Sequence, residues 1–98
     1  MGAALLLFWW IPRNQKLNEL VEELIRIGRK IPPDSDSASH FLRQAKPRTR
    51  EIGEELHRLG GTDMMRKAYA KVRGRLGGIA ARELDSAWFG IGKWGRLI

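Results

Sequence analysis

Apolar residues in this chain repeat with the period of an α-helix, and proline or glycine pairs separate one repeat from the next. The clearest repeat lies in residues 14–31, and Pro32-Pro33 follows it. Because the residue before a proline is disfavoured in helical conformation, this pair predicts the end of a helix. The repeat consists of aliphatic residues at spacings of three and four, namely Leu17, Leu20, Val21, Leu24, Ile27 and Ile31.

The same period recurs downstream and predicts helices over residues 38–45, 47–59, 63–76 and 79–89. No stretch shows the sustained alternation of a β-strand. The predicted fold class is therefore all-α, a small single-domain bundle of four to five short helices. The predicted boundaries come from capping, turn and stop residues, namely Asn14, Ser37, Pro47, Gly60-Gly61, Thr62 and Gly77-Gly78.

A length of 98 residues suits one domain, which we expect to cover 1–98. Within it, residues 1–12 are an apolar N-terminal arm, 32–38 a linker of proline, serine and aspartate, and 90–98 a glycine-rich tail. The chain has no cysteine. Disulfides, thiolate catalysis and cysteine-based metal sites are therefore excluded.

The N-terminal arm is the most unusual segment, because seven large side chains from Leu5 to Ile11 follow one another without a charge. It is too short to cross a membrane as a helix. Arg13 and Lys16 follow the apolar stretch, whereas a secretory signal has its positive charge before it. We therefore expect a cytoplasmic protein whose arm packs into its own core, onto a partner or at a membrane interface.

Aromatic residues cluster at the two ends of the chain. Trp and Phe are over-represented where proteins bind one another, so an exposed cluster predicts a protein-binding patch. The alternative is that both ends meet and complete one core. The residues predicted to contact a protein partner, or a second copy of the chain, are Phe8, Trp9, Trp10, Trp88 and Trp94.

Positive charge is concentrated in the predicted helix 63–76. The chain carries a formal net charge of +7, and residues 63–78 contain five basic residues against Asp63 alone. On a helical wheel four cations occupy the side opposite the apolar stripe. They predict an alternative function, the binding of nucleic acid, and are Arg66, Lys67, Lys71 and Arg75.

No arrangement of residues predicts catalysis. Residues 90–95 match G-x-G-x-x-G, but they follow a predicted helix and only three residues remain after them, so the dinucleotide-binding context is missing. We expect no enzyme activity, cofactor, metal or small-molecule substrate. The leading prediction is a non-catalytic protein–protein interaction module. The alternatives are nucleic-acid binding through helix 63–76 and peripheral membrane association through the N-terminal arm.

Overall fold

The computed structural model describes residues 13–95, and the N-terminal arm and residues 96–98 lie outside that range. Within it the chain forms three helices: α1 (Arg13–Arg29), α2 (Ser35–Leu76) and α3 (Gly78–Trp88). The same range contains no β-strand. The all-α prediction is confirmed, whereas the number of helices is three and not four to five.

Helix α1 buries most of the predicted aliphatic stripe. Asn14, the predicted N-cap, lies inside the helix, which begins one residue earlier. The helix ends in a tightened turn, where the Lys30 amide donates to the Ile27 carbonyl at 3.1 Å. The buried residues of α1 are Leu17, Leu20, Val21, Leu24 and Ile25.

Helix α2 begins at Ser35, inside the predicted 32–38 linker. Asp34 is its N-cap, with an extended backbone (φ −77°, ψ 130°), and its carboxylate accepts a hydrogen bond from the Ser37 amide at 2.9 Å. An aspartate in this position satisfies an amide that the first turn of a helix leaves free. The predicted cap, Ser37, therefore lies inside α2, and its amide is the donor.

Pro47 lies inside α2 and not at the start of a separate helix, so the predicted helices 38–45 and 47–59 are one. A proline removes one amide from the helix and crowds the preceding turn. Pro47 is exposed. The carbonyl that receives no hydrogen bond from Pro47 is therefore within reach of water. The Thr49 hydroxyl also donates to the Ala45 carbonyl at 3.0 Å across this turn.

The glycine pair Gly60-Gly61 bends α2 sharply. Gly60 (φ −157°, ψ 19°) and Gly61 (φ 71°, ψ −161°) both depart from helical geometry, and the Gly61 φ lies where only glycine is unstrained. The predicted break is thus present in the backbone, although the helix resumes directly after it. The part of α2 before the pair and the part after it can therefore point in different directions.

Ion pairs with α1 show that α2 folds back on itself. Arg48 contacts Glu23 at 2.6 Å, and Arg75 contacts Glu22 at 3.7 Å. These arginines are 27 residues apart, about 40 Å along a straight helix, yet they meet adjacent residues of α1. The hydrogen bonds from the Arg48 guanidinium also hold the pKa of the Glu23 carboxyl below its usual value.

Helix α3 closes the core by packing Trp88 against a glycine of α2. The Trp88 side chain is fully buried, and its indole N–H donates to the Thr49 carbonyl at 2.9 Å. A Cβ atom on Gly53 would lie 2.5 Å from the indole ring. The close approach of these two helices therefore depends on the absence of a side chain at Gly53.

The described part of the glycine-rich tail, residues 90–95, is irregular as predicted but packs onto the bundle. Ile91 exposes 6% and Trp94 9% of its surface. Arg50 of α2 fixes the start of this segment, because its guanidinium donates to the carbonyls of Ala87 at 3.1 Å and Phe89 at 2.9 Å. A side chain thus serves the last carbonyls of α3, which have no partner within the helix.

Two glycine-to-alanine substitutions in α2 should change stability in opposite directions. Gly53→Ala should lower the free energy of unfolding by about 1–3 kcal/mol, because its methyl group would overlap Trp88. Gly74→Ala should raise it by about 0.5–1 kcal/mol, because Gly74 is helical, is exposed and has no atom within 4 Å of the added methyl group. Urea denaturation followed by circular dichroism measures both, and equal shifts would contradict the packing described above.

Candidate functional site

The two C-terminal tryptophans predicted to contact a partner lie in the core of the chain. Trp88 is fully buried and Trp94 exposes 9% of its surface, and their rings meet edge to face with centroids 5.2 Å apart. The expectation of an exposed patch at these two residues is therefore corrected, because the described tail folds back over α3. The other predicted contacts, Phe8, Trp9 and Trp10, lie outside the described residues.

A carboxylate of α3 organises the edge of this aromatic cluster. Asp85 accepts hydrogen bonds from the Tyr69 hydroxyl and from the Trp94 indole N–H, each at 3.2 Å. The Tyr69 and Trp94 rings also meet edge to face, with centroids 5.5 Å apart. Burial raises the pKa of the Tyr69 hydroxyl, and the negative charge of Asp85 raises it further. These contacts tie α2, α3 and the tail together.

The four cations predicted to bind nucleic acid are all exposed, but two of them have acidic partners. Arg66 lies 3.8 Å from Asp63, and Arg75 contacts Glu22 of α1. Lys67 and Lys71 have no ion pair among residues 13–95. The structure thus leaves half of the predicted basic face free of acidic neighbours.

An apolar groove opens between the end of α1, the first half of α2 and α3, with a volume of about 330 Å³. Its floor consists of buried core residues such as Leu24 and Leu84. Its walls carry Ile27, Ile31 and Leu42, which are half-buried. Other large apolar residues exposed in the described chain, Ile79 and Phe89, lie outside it and are spaced apart on α3 and its end.

One wall of the groove belongs to a helical stripe that has little to pack against. The stripe, which we call the α2 stripe, consists of Ala38, Phe41, Leu42 and Ala45, at the spacing of one helix face. All four residues are half-buried, and the first buried residue of α2 is Thr49. The first three turns of α2 therefore contribute no side chain to the closed core.

The register of α1 against α2 explains why Ala38 and Phe41 of the α2 stripe stay open. Lys16 pairs with Glu55 at 3.4 Å, and Glu23 pairs with Arg48. The two helices therefore run antiparallel, and each residue forward along α1 corresponds to one residue back along α2. Arg29, the last residue of α1, is then level with Leu42. The first two turns of α2 continue about 10 Å beyond the end of α1 and have no neighbouring helix there among the described residues.

The α2 wall of the groove carries positive charge. Arg43 and Lys46 line this wall, and neither lies within 4.0 Å of a carboxylate of residues 13–95. Glu83 of α3 is the acidic residue among those lining the groove. The groove is therefore apolar inside and basic along its α2 edge.

Two glutamates of α2 take part in ion pairs. Glu51 pairs with Arg48 at 3.2 Å, and Glu54 with Arg50 at 3.9 Å. Among residues 13–95 no three His, Asp or Glu side chains are grouped to hold a metal ion. No helix of this part of the chain has the length and hydropathy needed to cross a membrane.

No family model, no curated protein and no solved structure matches this chain. Ile27 and Ile31 belong to the predicted aliphatic stripe of α1, yet they are half-buried and line the groove. The α2 stripe is visible in the sequence as apolar residues at helical spacing. The sequence does not show the register between α1 and α2, and this register decides what lies beside each of these residues.

The tyrosine hydroxyl gives a direct test of the Asp85 cluster, because Tyr69 is the single tyrosine of the chain. Its pKa should lie above the ordinary value of about 10, and Asp85→Asn should lower it. Absorbance of the phenolate during an alkaline titration measures this. Because the folded pKa exceeds the unfolded one, the contribution of Tyr69 to stability is complete below about pH 10 and is lost as the pH rises through the folded value. A pKa at or below 10 would contradict the burial of this hydroxyl.

Proposed function

We propose that this chain is a protein–protein interaction module and that the apolar groove receives a helical segment of a partner protein. The observation that supports this most is the α2 stripe. Its four residues have the spacing of a packed helix face, yet all four are half-buried, and Leu42 and Ala45 line the groove. Burial of such apolar surface away from water is favourable by about 25 cal/mol for each Å².

The surroundings of the groove favour a helix as the occupant. A groove between two helices takes an amphipathic helix whose anchors recur at positions i, i+3, i+4 and i+7. Such a helix would pack beside Leu42 and Ala45 of α2 and beside Ile27 and Ile31, which line the groove.

The two alternative functions have less support in the described residues. Nucleic-acid binding rests on Lys67 and Lys71, because the acidic partners of Arg66 and Arg75 reduce the net positive charge of that face. Peripheral membrane association rests on the N-terminal arm, which is outside the described residues. The absence of enzyme activity and the cytoplasmic location remain predictions.

Site-specific photo-cross-linking tests the proposed function. In one variant a benzophenone amino acid replaces Ala45 in the groove wall. In the control variant it replaces another alanine, Ala70, on the exposed face of α2. In cells that make this protein, the Ala45 position should give an adduct to one helical segment of a partner, identified by mass spectrometry. The Ala70 position should not give that adduct.

A synthetic peptide of the cross-linked segment then tests whether the groove is the binding site. Leu42→Asp should raise its Kd by at least about tenfold, because a charge would be buried in the interface. Leu42→Ala shortens the side chain without adding charge and should have a smaller effect. Denaturation curves show whether each variant is folded. Identical adducts from both positions, or an unchanged Kd for the folded Leu42→Asp variant, would contradict the proposed function.

A further inference from the structure

The charges at the edges of the groove carry information about the partner, provided that the proposed function holds. Arg43 lies next to Leu42 of the α2 stripe, and Lys46 lies one helical turn further on, so both flank the apolar wall. A helix lying in the groove would therefore have these two cations along the flank that meets α2.

Arg43 and Lys46 are free of acidic neighbours within the described residues. Other basic residues contact carboxylates of the chain within 4.0 Å, and these are Lys16, Arg48, Arg50, Arg66 and Arg75. The two groove cations make no such contact with residues 13–95. Their charge is thus directed to solvent or to whatever occupies the groove.

The nearby carboxylates do not balance these cations. Asp34 and Asp36 lie at the start of α2, where Asp34 already accepts the hydrogen bond from Ser37 that caps the helix. Glu83 lines the third side of the groove, on α3. The α2 wall therefore remains cationic, whereas the single lining carboxylate lies at the α3 side.

We propose that the partner segment is an acidic amphipathic helix, with aliphatic residues on the face that fills the groove and Glu or Asp on the flank that meets α2. The apolar face matches the groove interior, and the acidic flank matches Arg43 and Lys46. A nucleic acid has the negative charge but no aliphatic face to fill the groove. A membrane surface has no ridge that fits between the helices.

Two synthetic helical peptides of about 15 residues, or four turns, test this assignment. Both carry the same leucine stripe, and their flanking residues are Glu in one and Lys in the other. Fluorescence anisotropy with the full chain should give at least about tenfold tighter binding of the Glu peptide at roughly 0.05 M salt. The difference should shrink at roughly 0.5 M salt, because edge charges are then screened.

Matched charge reversals separate the groove from the rest of the surface. Arg43→Glu with Lys46→Glu should abolish or invert the preference for the Glu peptide. Lys67→Glu with Lys71→Glu makes the same change in net charge on the other face and should leave the preference intact. Loss of the preference in both double variants would overturn the assignment, since it would show a response to net charge alone.

The remaining outcomes distinguish the two proposals. Equal affinity for both peptides, with binding lost in Leu42→Asp, would overturn the acidic partner and leave the proposed function standing. Failure of both peptides to bind would overturn both proposals. Displacement of the Glu peptide by a DNA duplex or by anionic phospholipid vesicles at equal charge concentration would overturn the assignment to a protein helix. A tenfold gain in affinity after removal of residues 1–11 would do the same, since the N-terminal arm would then be the occupant.

Discussion

The reversal of α2 at Gly60-Gly61 is the constraint on which the rest of the structure depends. A straight helix of 42 residues would be about 63 Å long and could not pack against itself. The reversal brings Ile52 and Leu56, before the glycine pair, into one core with Met65 and Ala68 after it. Helix α1 then packs against both parts, and α3 closes the remaining side with Trp88. Two residues without side chains thus make a bundle from a chain that has only three helices.

The sequence predicted the elements that one local pattern determines. It did not predict those for which two local features favour different structures. The aliphatic period predicted α1, and the glycine pairs predicted the bend in α2 and the separation of α3. Pro47 was read as a helix start, but packing of Ile52 and Leu56 on one continuous face outweighs the single amide that Pro47 lacks. Asp34 caps α2 before the predicted cap is reached, because two acceptable capping residues stand three positions apart.

The candidate site was harder to predict, because composition does not show which apolar residues are covered. Trp88 and Trp94 looked like contact residues, yet their indole N–H groups find acceptors at Thr49 and Asp85 inside the bundle. The α2 stripe has the spacing of a core face, yet its residues are half-buried and its first two lie beyond the end of α1. Both outcomes depend on distances between elements far apart in sequence. A helical period reveals a face but not the neighbour that the face meets.

The extension of α2 beyond α1 has a consequence for dynamics. Its first two turns are held by their own backbone hydrogen bonds and by the Asp34 cap, without tertiary packing on both sides. Short helices held in this way fray readily, so the amides of this end should exchange with solvent faster than those around Leu56. A ligand in the groove would slow that exchange. Rigidity at this end of the molecule would then be a property of the complex and not of the free chain.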